Sequence, residues 1–231
     1  MRKVTSRPLT STCSRIVAGR EHALVGISAL NGYFSQATIT ELLRWALKTF
    51  SRVDVLLPGR ELEDTLRGRG HAAGRVRRKA RMAINNTRNR VGRALGDLGA
   101  DAGTVTVFSW SDLTANRPYM AMRGMVERLY ATDTRFRDEC LRAVVPVICG
   151  DPEEPVSRER AEAAVPFLLG ELPLVVDTPA ILGTRSSVFC YPRPMPLVTR
   201  LYGGLLPLSR APGQGFLVTR LSRVDRDAYS G

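Results

Sequence analysis

Residues 22–28 have the sequence HALVGIS, an apolar run that ends in a small-residue turn. A short apolar run of this kind predicts a buried β-strand. An apolar helical pattern follows from Ile39 to Phe50, and residues 52–57, RVDVLL, predict a second strand that stops at Pro58-Gly59. This strand–helix–strand order predicts a parallel α/β sheet with right-handed crossover connections.

The rest of the chain continues the alternation of strands and helices. Thr38 and Glu41 are spaced as a capping box and predict the start of the first helix. Further strands are predicted at 104–108, 187–191 and 216–221, and further helices at 118–131, 134–148, 157–171 and 197–206. We expect a flexible lead-in over residues 1–15 and a single α/β domain over residues 16–231.

The charge of the chain is concentrated in one segment. The net charge is +12, and residues 75–93 contain eight basic residues and no acidic one. Apolar residues at Val76, Ala80, Ile84 and Val91 make this segment compatible with a helix over about 75–97. The basic residues are Arg75, Arg77, Arg78, Lys79, Arg81, Arg88, Arg90 and Arg93.

A charged helix face is most often only solvated surface, but such faces usually mix signs to gain i,i+4 pairs. Like charges on neighbouring turns repel one another, and a phosphate backbone would neutralise them. The segment therefore favours contact with a nucleic acid. It lacks a pattern of stacking aromatic residues, so sequence-specific contact with single-stranded bases is not expected.

The composition argues against several other kinds of protein. No apolar run approaches the length of a membrane span, and the N-terminus has no apolar core of a signal peptide. The four cysteines are widely spaced and only two histidines are present, so we expect reduced thiols and no metal site. These features favour a cytoplasmic protein.

Ser28 is the first candidate for chemistry. With the two-residue period of a strand it shares a face with Leu24 and Gly26 and emerges at the carboxyl end, where open α/β sheets bind ligands. A serine hydrolase is a poor fit, because His22 lies about 20 Å back along the strand and His71 borders the basic segment. The alternative is that Ser28 only caps the next turn.

Glu171 and Tyr191 are the next candidates. Glu171 lies within apolar sequence, which is typical either of a helix-end residue with its carboxylate in water or of a buried functional acid. Tyr191 ends a predicted strand, where tyrosines usually pack in the core or at its rim. Neither pattern is specific alone.

Together these segments resemble the cyclodipeptide synthase family, whose members make diketopiperazines from two aminoacyl-tRNAs. The resemblance covers roughly residues 15–221. It is carried, in the family's order, by HALVGIS at 22–28 with NGYFS at 31–35, the arginine-rich segment, FLLGELP at 167–173 and SSVFCYP at 186–192. It implies a Rossmann-like fold similar to class I tyrosyl- and tryptophanyl-tRNA synthetases, and no cofactor, since the amino acids arrive already activated as tRNA esters.

The resemblance also implies a role for each candidate. Ser28 matches the nucleophile that accepts the first aminoacyl group, and Glu171 matches the acid that holds the substrate ammonium. Tyr191 matches the tyrosine that relays a proton during cyclisation, and Asn31 helps to position the reacting groups. The basic helix matches the element that holds the tRNA acceptor arm.

The resemblance suggests apolar substrate pockets. The first is expected to be lined by Leu24, Gly26, Leu174 and Phe189, and the second to include Leu56. A leucine-like first residue is favoured because Phe189 takes up space.

Two departures from the family pattern stand out. Phe167 occupies the position where better-known members carry a tyrosine that contacts the substrate amine. Tyr191 is followed by Pro192, as in one subfamily, while Asn31 is more typical of the other. The alternatives to a synthase are a non-catalytic tRNA- or RNA-binding protein and a simple serine esterase, and we expect a monomer or weak dimer without membrane or metal partners.

Overall fold

The computed structural model describes residues 2–100, 105–149 and 155–223. In these residues six strands form one sheet in the order β1-β6-β5-β2-β3-β4. All neighbouring strands are parallel except β1 and β6, which pair antiparallel. The strands are β1 Arg2–Pro8, β2 His22–Gly26, β3 Arg52–Leu57, β4 Val105–Ser109, β5 Ser187–Tyr191 and β6 Gln214–Arg223. The predicted α/β class with a mostly parallel sheet is confirmed.

Helices cover both faces of this sheet. They are α1 Ser11–Ala18, α2 Gln36–Thr49, α3 Leu62–Gly68, α4 Ala73–Asp97, α5 Arg117–Thr132, α6 Thr134–Ile148, α7 Arg158–Leu182 and α8 Pro196–Tyr202, with a 3₁₀ turn at Trp110–Leu113. Because strand side chains alternate, Leu24 and Leu56 point into the core shared with α5–α8, while Val25 and Val55 point into the core beneath α2 and α4. The central strands are buried on both faces, which explains their continuous apolar sequence.

The expected flexible lead-in is wrong for residues 2–15. Strand β1 pairs along its length with β6, with Val4 opposite Leu221, and α1 follows. Cys13 of α1 is fully buried, and its sulfur accepts a hydrogen bond from the Phe216 amide (3.4 Å). The backbone ladder orders this segment, although its side chains are mostly polar and exposed.

The predicted capping box at Thr38 and Glu41 is also wrong. Helix α2 begins earlier, with Ser35 as its N-cap, whose hydroxyl accepts from the Thr38 amide (3.2 Å). Glu41 instead pairs with Arg44 one turn further along. The difference matters because Ser35 ends the loop that follows β2.

Helix α7 is longer than the predicted 157–171. It continues through Pro173 to Leu182, with non-helical backbone at Asp177 (φ −150°, ψ 55°). By length and composition it could cross a membrane, contrary to the expectation from apolar runs, but 67% of its most apolar window is buried inside the protein. This burial is typical of the core helix of a soluble protein.

Other boundaries differ by a few residues. Helix α8 ends at Tyr202 rather than at 206, because Gly203 and Gly204 follow and Gly204 has a positive φ (70°). Strand β4 begins at Val105, and the predicted first residue, Thr104, lies outside the described residues.

Candidate active site

A cavity of about 310 Å³ opens at the carboxyl ends of β2, β3 and β5. Its walls come from α3, α6, α7 and α8 and from the loop after β5. The lining is mostly apolar, with a few polar groups, as in sites for small organic groups. The side chains that matter below are Gly26, Ser28, Asn31, Leu56, Trp110, Val144, Ile148, Phe167, Glu171, Tyr191 and Arg193.

The four predicted catalytic residues all line this cavity. Ser28 lies two residues beyond β2, and Tyr191 is the last residue of the neighbouring strand β5. Glu171 is in the middle of α7, and Asn31 is in the loop after β2. The parallel pairing of β2 with β5 brings the first two to the same edge of the sheet. Residues more than 160 positions apart therefore converge on one site.

Asn31 and the four residues after it form a tight loop, which we call the active-site loop (Asn31–Ser35). The Asn31 side-chain oxygen accepts from the Tyr33 amide (3.0 Å), and its backbone oxygen accepts from the Phe34 amide (3.1 Å). The Phe34 ring is fully buried and lies 6.0 Å from the Tyr191 ring, centroid to centroid. The loop thus fixes Asn31 and also packs against Tyr191.

Glu171 has an unusual environment for a carboxylate. Its side chain faces the cavity but is otherwise enclosed by protein, and this burial raises the pKa of the carboxyl to about 7. A group with this pKa can exchange a proton with an amine or alcohol near neutral pH. The raised pKa is therefore suitable for the functional acid that was predicted at Glu171.

Tyr191 interacts with the other site residues. Burial raises the pKa of its phenol, and the Glu171 carboxylate raises it further. Side-chain hydrogen bonds to Asn31 and Ser28 and the charge of Arg193 act in the opposite direction. The phenol stays protonated at neutral pH and can donate a hydrogen bond beside the Ser28 hydroxyl.

The predicted substrate-lining residues divide into two groups. Gly26, Leu56 and Phe167 line the cavity. Leu24, Leu174 and Phe189 do not line it in the described part of the chain, since they are fully buried in the core behind it. Of the four residues predicted for the first pocket, only Gly26 therefore lies on the cavity in this structure, because core packing leaves the other three no accessible surface.

Phe189 shows how the space behind the site is filled. Its ring stacks on Phe216 (centroids 5.9 Å apart, planes at 14°) and lies against Gly26. The cavity extends instead toward α6, where Val144 and Ile148 form its wall. These aliphatic residues give no signal in the sequence that separates them from core positions.

Two aromatic residues missed by sequence reasoning hold the helix that carries Glu171. Trp110 packs edge-on against Phe167 (4.8 Å, 82°) and over Gly170, where a Cβ would be 3.0 Å from the indole nitrogen. The Tyr119 hydroxyl, on α5, donates to the Gly170 carbonyl (2.9 Å). A Cβ atom at residue 170 would therefore force the indole to shift by a few tenths of an ångström.

The basic segment is a helix, α4, as predicted, over Ala73–Asp97. Its Val76 and Ala80 pack on Leu62 and Leu66 of α3, next to the cavity. Seven of its eight predicted cations are exposed: Arg75, Arg77, Arg78, Lys79, Arg81, Arg88 and Arg93. Arg90 is only half-exposed and turns toward the active-site loop.

His22 lies at the opposite end of the sheet from the cavity. Its ring bonds to Ser187 Oγ (2.7 Å) and Asp54 Oδ2 (3.2 Å), and all three residues are buried. Arg52 Nη2 also donates to Asp54 (2.8 Å). This Ser–His–Asp arrangement was not predicted, and its serine has no accessible surface for a substrate. His22 therefore cannot act as a base for Ser28.

The comparison with protein families decides the assignment. The model described as "Cyclodipeptide synthase" matches residues 4–221, nearly the whole chain. The chain belongs to the cyclodipeptide synthase family. The predicted enzyme class, a cyclodipeptide-forming aminoacyltransferase, is confirmed at this level.

This chain is similar to curated cyclodipeptide synthases over most of their length. The chain is 33% identical to the cyclo(L-leucyl-L-phenylalanyl) synthase of Streptomyces noursei over 90% of this chain and 88% of the relative. It is 32% identical to the cyclo(L-leucyl-L-leucyl) synthase of Bacillus subtilis, over 92% and 87% respectively. Within the synthase family, these relatives share a leucyl residue in their named products.

Solved structures support the same assignment. A cyclodipeptide synthase from Bacillus thermoamylovorans superposes with a TM-score of 0.88 at 27% identity, covering 96% of this chain and 97% of the other. A tyrosyl-tRNA synthetase from Archaeoglobus fulgidus superposes with a TM-score of 0.54 at 15% identity, over 91% and 59%, which shows likeness of fold alone. The predicted likeness of this synthase to class I tRNA synthetase folds is thus confirmed.

Among the described residues of this family member, no cluster of histidine, cysteine, aspartate and glutamate could hold a metal ion. Three of the cysteines, Cys13, Cys140 and Cys190, are buried as free thiols.

Proposed function

We propose that this chain joins two aminoacyl groups from aminoacyl-tRNAs into a cyclic dipeptide through an ester on Ser28. The observation that carries this proposal is the convergence of Ser28, Asn31, Glu171 and Tyr191 on one cavity that has no histidine base. Membership of the synthase family supplies the reaction class.

In the first step the Ser28 hydroxyl oxygen attacks the ester carbonyl of one aminoacyl-tRNA. The new bond to Ser28 replaces the bond to the tRNA ribose oxygen, which receives the serine proton. One ester is exchanged for another, so the step is nearly balanced in energy and needs positioning more than a strong base. A strong base beside Ser28 would also activate water and hydrolyse the intermediate.

In the second step the amine of the aminoacyl-Ser28 ester attacks the ester carbonyl of the second aminoacyl-tRNA. The new peptide bond replaces the ester bond to the ribose oxygen of the second tRNA, which takes up a proton as that tRNA leaves. The free amine of the resulting dipeptidyl ester then attacks the carbonyl attached to Ser28, closes the ring and releases the serine. Glu171 binds the ammonium and takes its proton, for which a pKa of about 7 is well matched. Tyr191, which lines the cavity with Asn31 and Ser28, returns a proton to the leaving serine oxygen.

The exposed cations of α4 hold the acceptor arm of the tRNA in this scheme. Val76 and Ala80 pack on α3 beside the cavity, so a phosphate backbone on this helix lies close to the site where its 3′ ester must react. We also propose that the protein acts in the cytoplasm, where aminoacyl-tRNAs occur, as a monomer or weak dimer.

The substrates we propose carry apolar side chains, with a leucine-like first residue. Phe189 fills the space behind Gly26, which disfavours a bulky side chain there. Leu56, Val144 and Ile148 offer an apolar wall for the other side chain. Leucyl, phenylalanyl and tyrosyl groups occur in the products named for curated relatives.

Mass spectrometry of medium from bacteria that express the chain tests the function. We expect a new cyclic dipeptide mass that is absent with Ser28→Ala at equal soluble expression. Purified protein with aminoacylated tRNA provides the matched assay in vitro. Absence of product in both, with tRNA binding intact, would contradict the proposal and favour a non-catalytic RNA-binding protein. Turnover of simple esters without tRNA would indicate an esterase.

A further inference from the structure

Arg90 is less exposed than the other seven cations of the basic helix. Its guanidinium Nη1 donates to the Phe34 carbonyl (2.6 Å), and its Nε donates to the Asn86 carbonyl one turn back (3.3 Å). Arg88, two residues earlier, is exposed. The Arg90 side chain thus lies along the protein surface between α4 and the active-site loop.

We propose that Arg90 is a positioning residue for the active-site loop rather than a tRNA phosphate ligand. This inference rests on the proposed function for its catalytic consequence. Arg90 is one of the eight cations that were predicted from the sequence to bind tRNA, and this proposal gives it a different role.

The contacts of the active-site loop explain how Arg90 reaches the reacting groups. Both backbone polar groups of Phe34 are held, since its amide donates to the Asn31 carbonyl (3.1 Å) and its carbonyl accepts from Arg90. Its buried ring packs against the Tyr191 ring. Asn31, at the start of the loop, lines the same cavity as Tyr191, and its side chain lowers the pKa of the Tyr191 phenol. Loss of the hydrogen bond from Arg90 therefore loosens both Phe34 and Asn31, the two loop residues beside that phenol.

The backbone at Arg90 is well placed to provide a fixed anchor. Val91, the next residue, is buried in the core formed with α2 and the sheet, as is Ala94 one turn later. A donor carried by a packed helix holds a loop more rigidly than one carried by another loop. The helix that contacts tRNA and the loop that positions Asn31 are thus joined by one side chain.

Kinetics and binding with Arg90→Met test this assignment. We expect kcat to fall by about 10- to 100-fold, because small displacements of reacting groups have effects of this size. The Kd for deacylated tRNA and its salt dependence should stay at the wild-type values. Arg88→Met is the matched comparison, and it should instead raise the Kd and lower the salt slope by about one.

A third variant controls for net charge. Arg185→Met removes one cation at the far end of the sheet, where the side chain is 94% exposed. It should change neither kcat nor Kd. If Arg90→Met weakens tRNA binding as Arg88→Met does and leaves kcat intact, Arg90 is a phosphate ligand and the proposal is wrong.

Hydrogen exchange gives a readout that needs no turnover. The amides of residues 33–35 should exchange faster in Arg90→Met than in wild type or Arg88→Met. Unchanged exchange would overturn the assignment even if the wild-type protein made no cyclic dipeptide, an outcome that would separately refute the proposed function. Should Arg90→Met fail to fold, Arg90→Gln, which keeps one N–H donor, is measured in the same way.

Discussion

The Phe189 ring lies against Gly26, with two of its carbons 3.0 Å from the position that a Cβ atom would occupy. The two residues lie on the adjacent strands β2 and β5, where Phe189 pairs with Leu24, two residues before Gly26. Gly26 therefore lets an aromatic ring fill the space behind the site. In the proposed reaction, this pair limits the space available to the first substrate side chain.

Gly26→Ala should destabilise the fold and reduce product formation. The added methyl group overlaps the Phe189 ring, and overpacking of this kind costs about 1–3 kcal/mol. Denaturant unfolding measures the change. Phe189→Leu in the same chain should restore part of the loss, giving a coupling energy of about 1 kcal/mol. Gly92→Ala is the control, because nothing lies within 4 Å of its Cβ position and alanine should stabilise α4 there by about 0.5–1 kcal/mol.

Activity should depend on pH through Glu171. If the carboxylate form accepts the ammonium proton, kcat/KM rises with pH and levels off above about 7, the pKa set by burial. Glu171→Gln should lower kcat by about 100-fold or more and abolish this dependence. A wild-type profile that is flat between pH 6 and 8 would refute the assignment.

The same pKa predicts how stability changes with pH. The folded-state pKa of about 7 lies above the ordinary glutamate value of 4.5, so the folded protein holds this proton more tightly than the unfolded chain. The stabilisation is complete below pH 4.5 and is lost as the pH rises through 7, by at most about 3 kcal/mol. The free energy of unfolding of Glu171→Gln should lack this part of its dependence on pH.

Phe167→Tyr should strengthen substrate binding. The ring lines the cavity one helical turn before Glu171, so a hydroxyl there can accept from the substrate ammonium. One such bond contributes about 0.5–1.5 kcal/mol, which lowers KM by roughly 2- to 13-fold. Steady-state kinetics with aminoacyl-tRNA measures it. Phe167→Leu should show no such gain, and an unchanged KM in the tyrosine variant would mean that the amine is held elsewhere.

Binding of tRNA should be steeply salt-dependent. Neutralising about four phosphates gives a slope of log K on log salt near −3 to −4, so a fourfold rise in salt weakens binding by roughly 100-fold. Filter binding or fluorescence with deacylated tRNA measures this slope. Replacing Arg78 and Arg81 together by methionine should make it shallower by about two, whereas a flat response in the wild type would exclude α4 as the tRNA site.

Asp54→Asn should destabilise the fold without affecting the active site. The carboxylate is 2% exposed and accepts from His22, Arg52 and the Thr106 amide. Without the negative charge, one amide side chain cannot accept hydrogen bonds from all of these donors. The free energy of unfolding should fall by about 1–3 kcal/mol. Unfolding in urea should show this loss, while kcat of the folded fraction stays at the wild-type value. A reduced kcat would indicate coupling across the sheet.

The central sheet was predictable because its strands are buried on both faces. HALVGIS and RVDVLL show this as mostly apolar runs, interrupted in RVDVLL by the buried Asp54. Strand β1 gave no such signal, since its order comes from backbone pairing with β6 rather than from apolar side chains. Helix α7 runs past its predicted end at residue 171 and contains Pro173, because the surrounding core supports a helix that proline would usually interrupt.

The candidate site was only partly predictable. Ser28, Asn31, Glu171 and Tyr191 came from ordered family motifs, and the structure brings them together in one cavity. The position of Trp110 beside the cavity could not be predicted, because an apolar residue that lines a cavity has the same sequence pattern as a core residue. The hydrogen bond from Arg90 to the active-site loop was also not predictable, since the number of charges in a segment carries no information on side-chain direction.

The pairing of β1 with β6 has a practical consequence for handling the protein. Deleting residues 2–8 would turn β6 into the border of the sheet and uncover backbone donors and acceptors beside Phe216, Leu217 and Val218. Such a strand is a template for intermolecular pairing. An N-terminal truncation intended to trim a tail would therefore yield a protein prone to aggregate, and tags are better attached before this strand than in place of it.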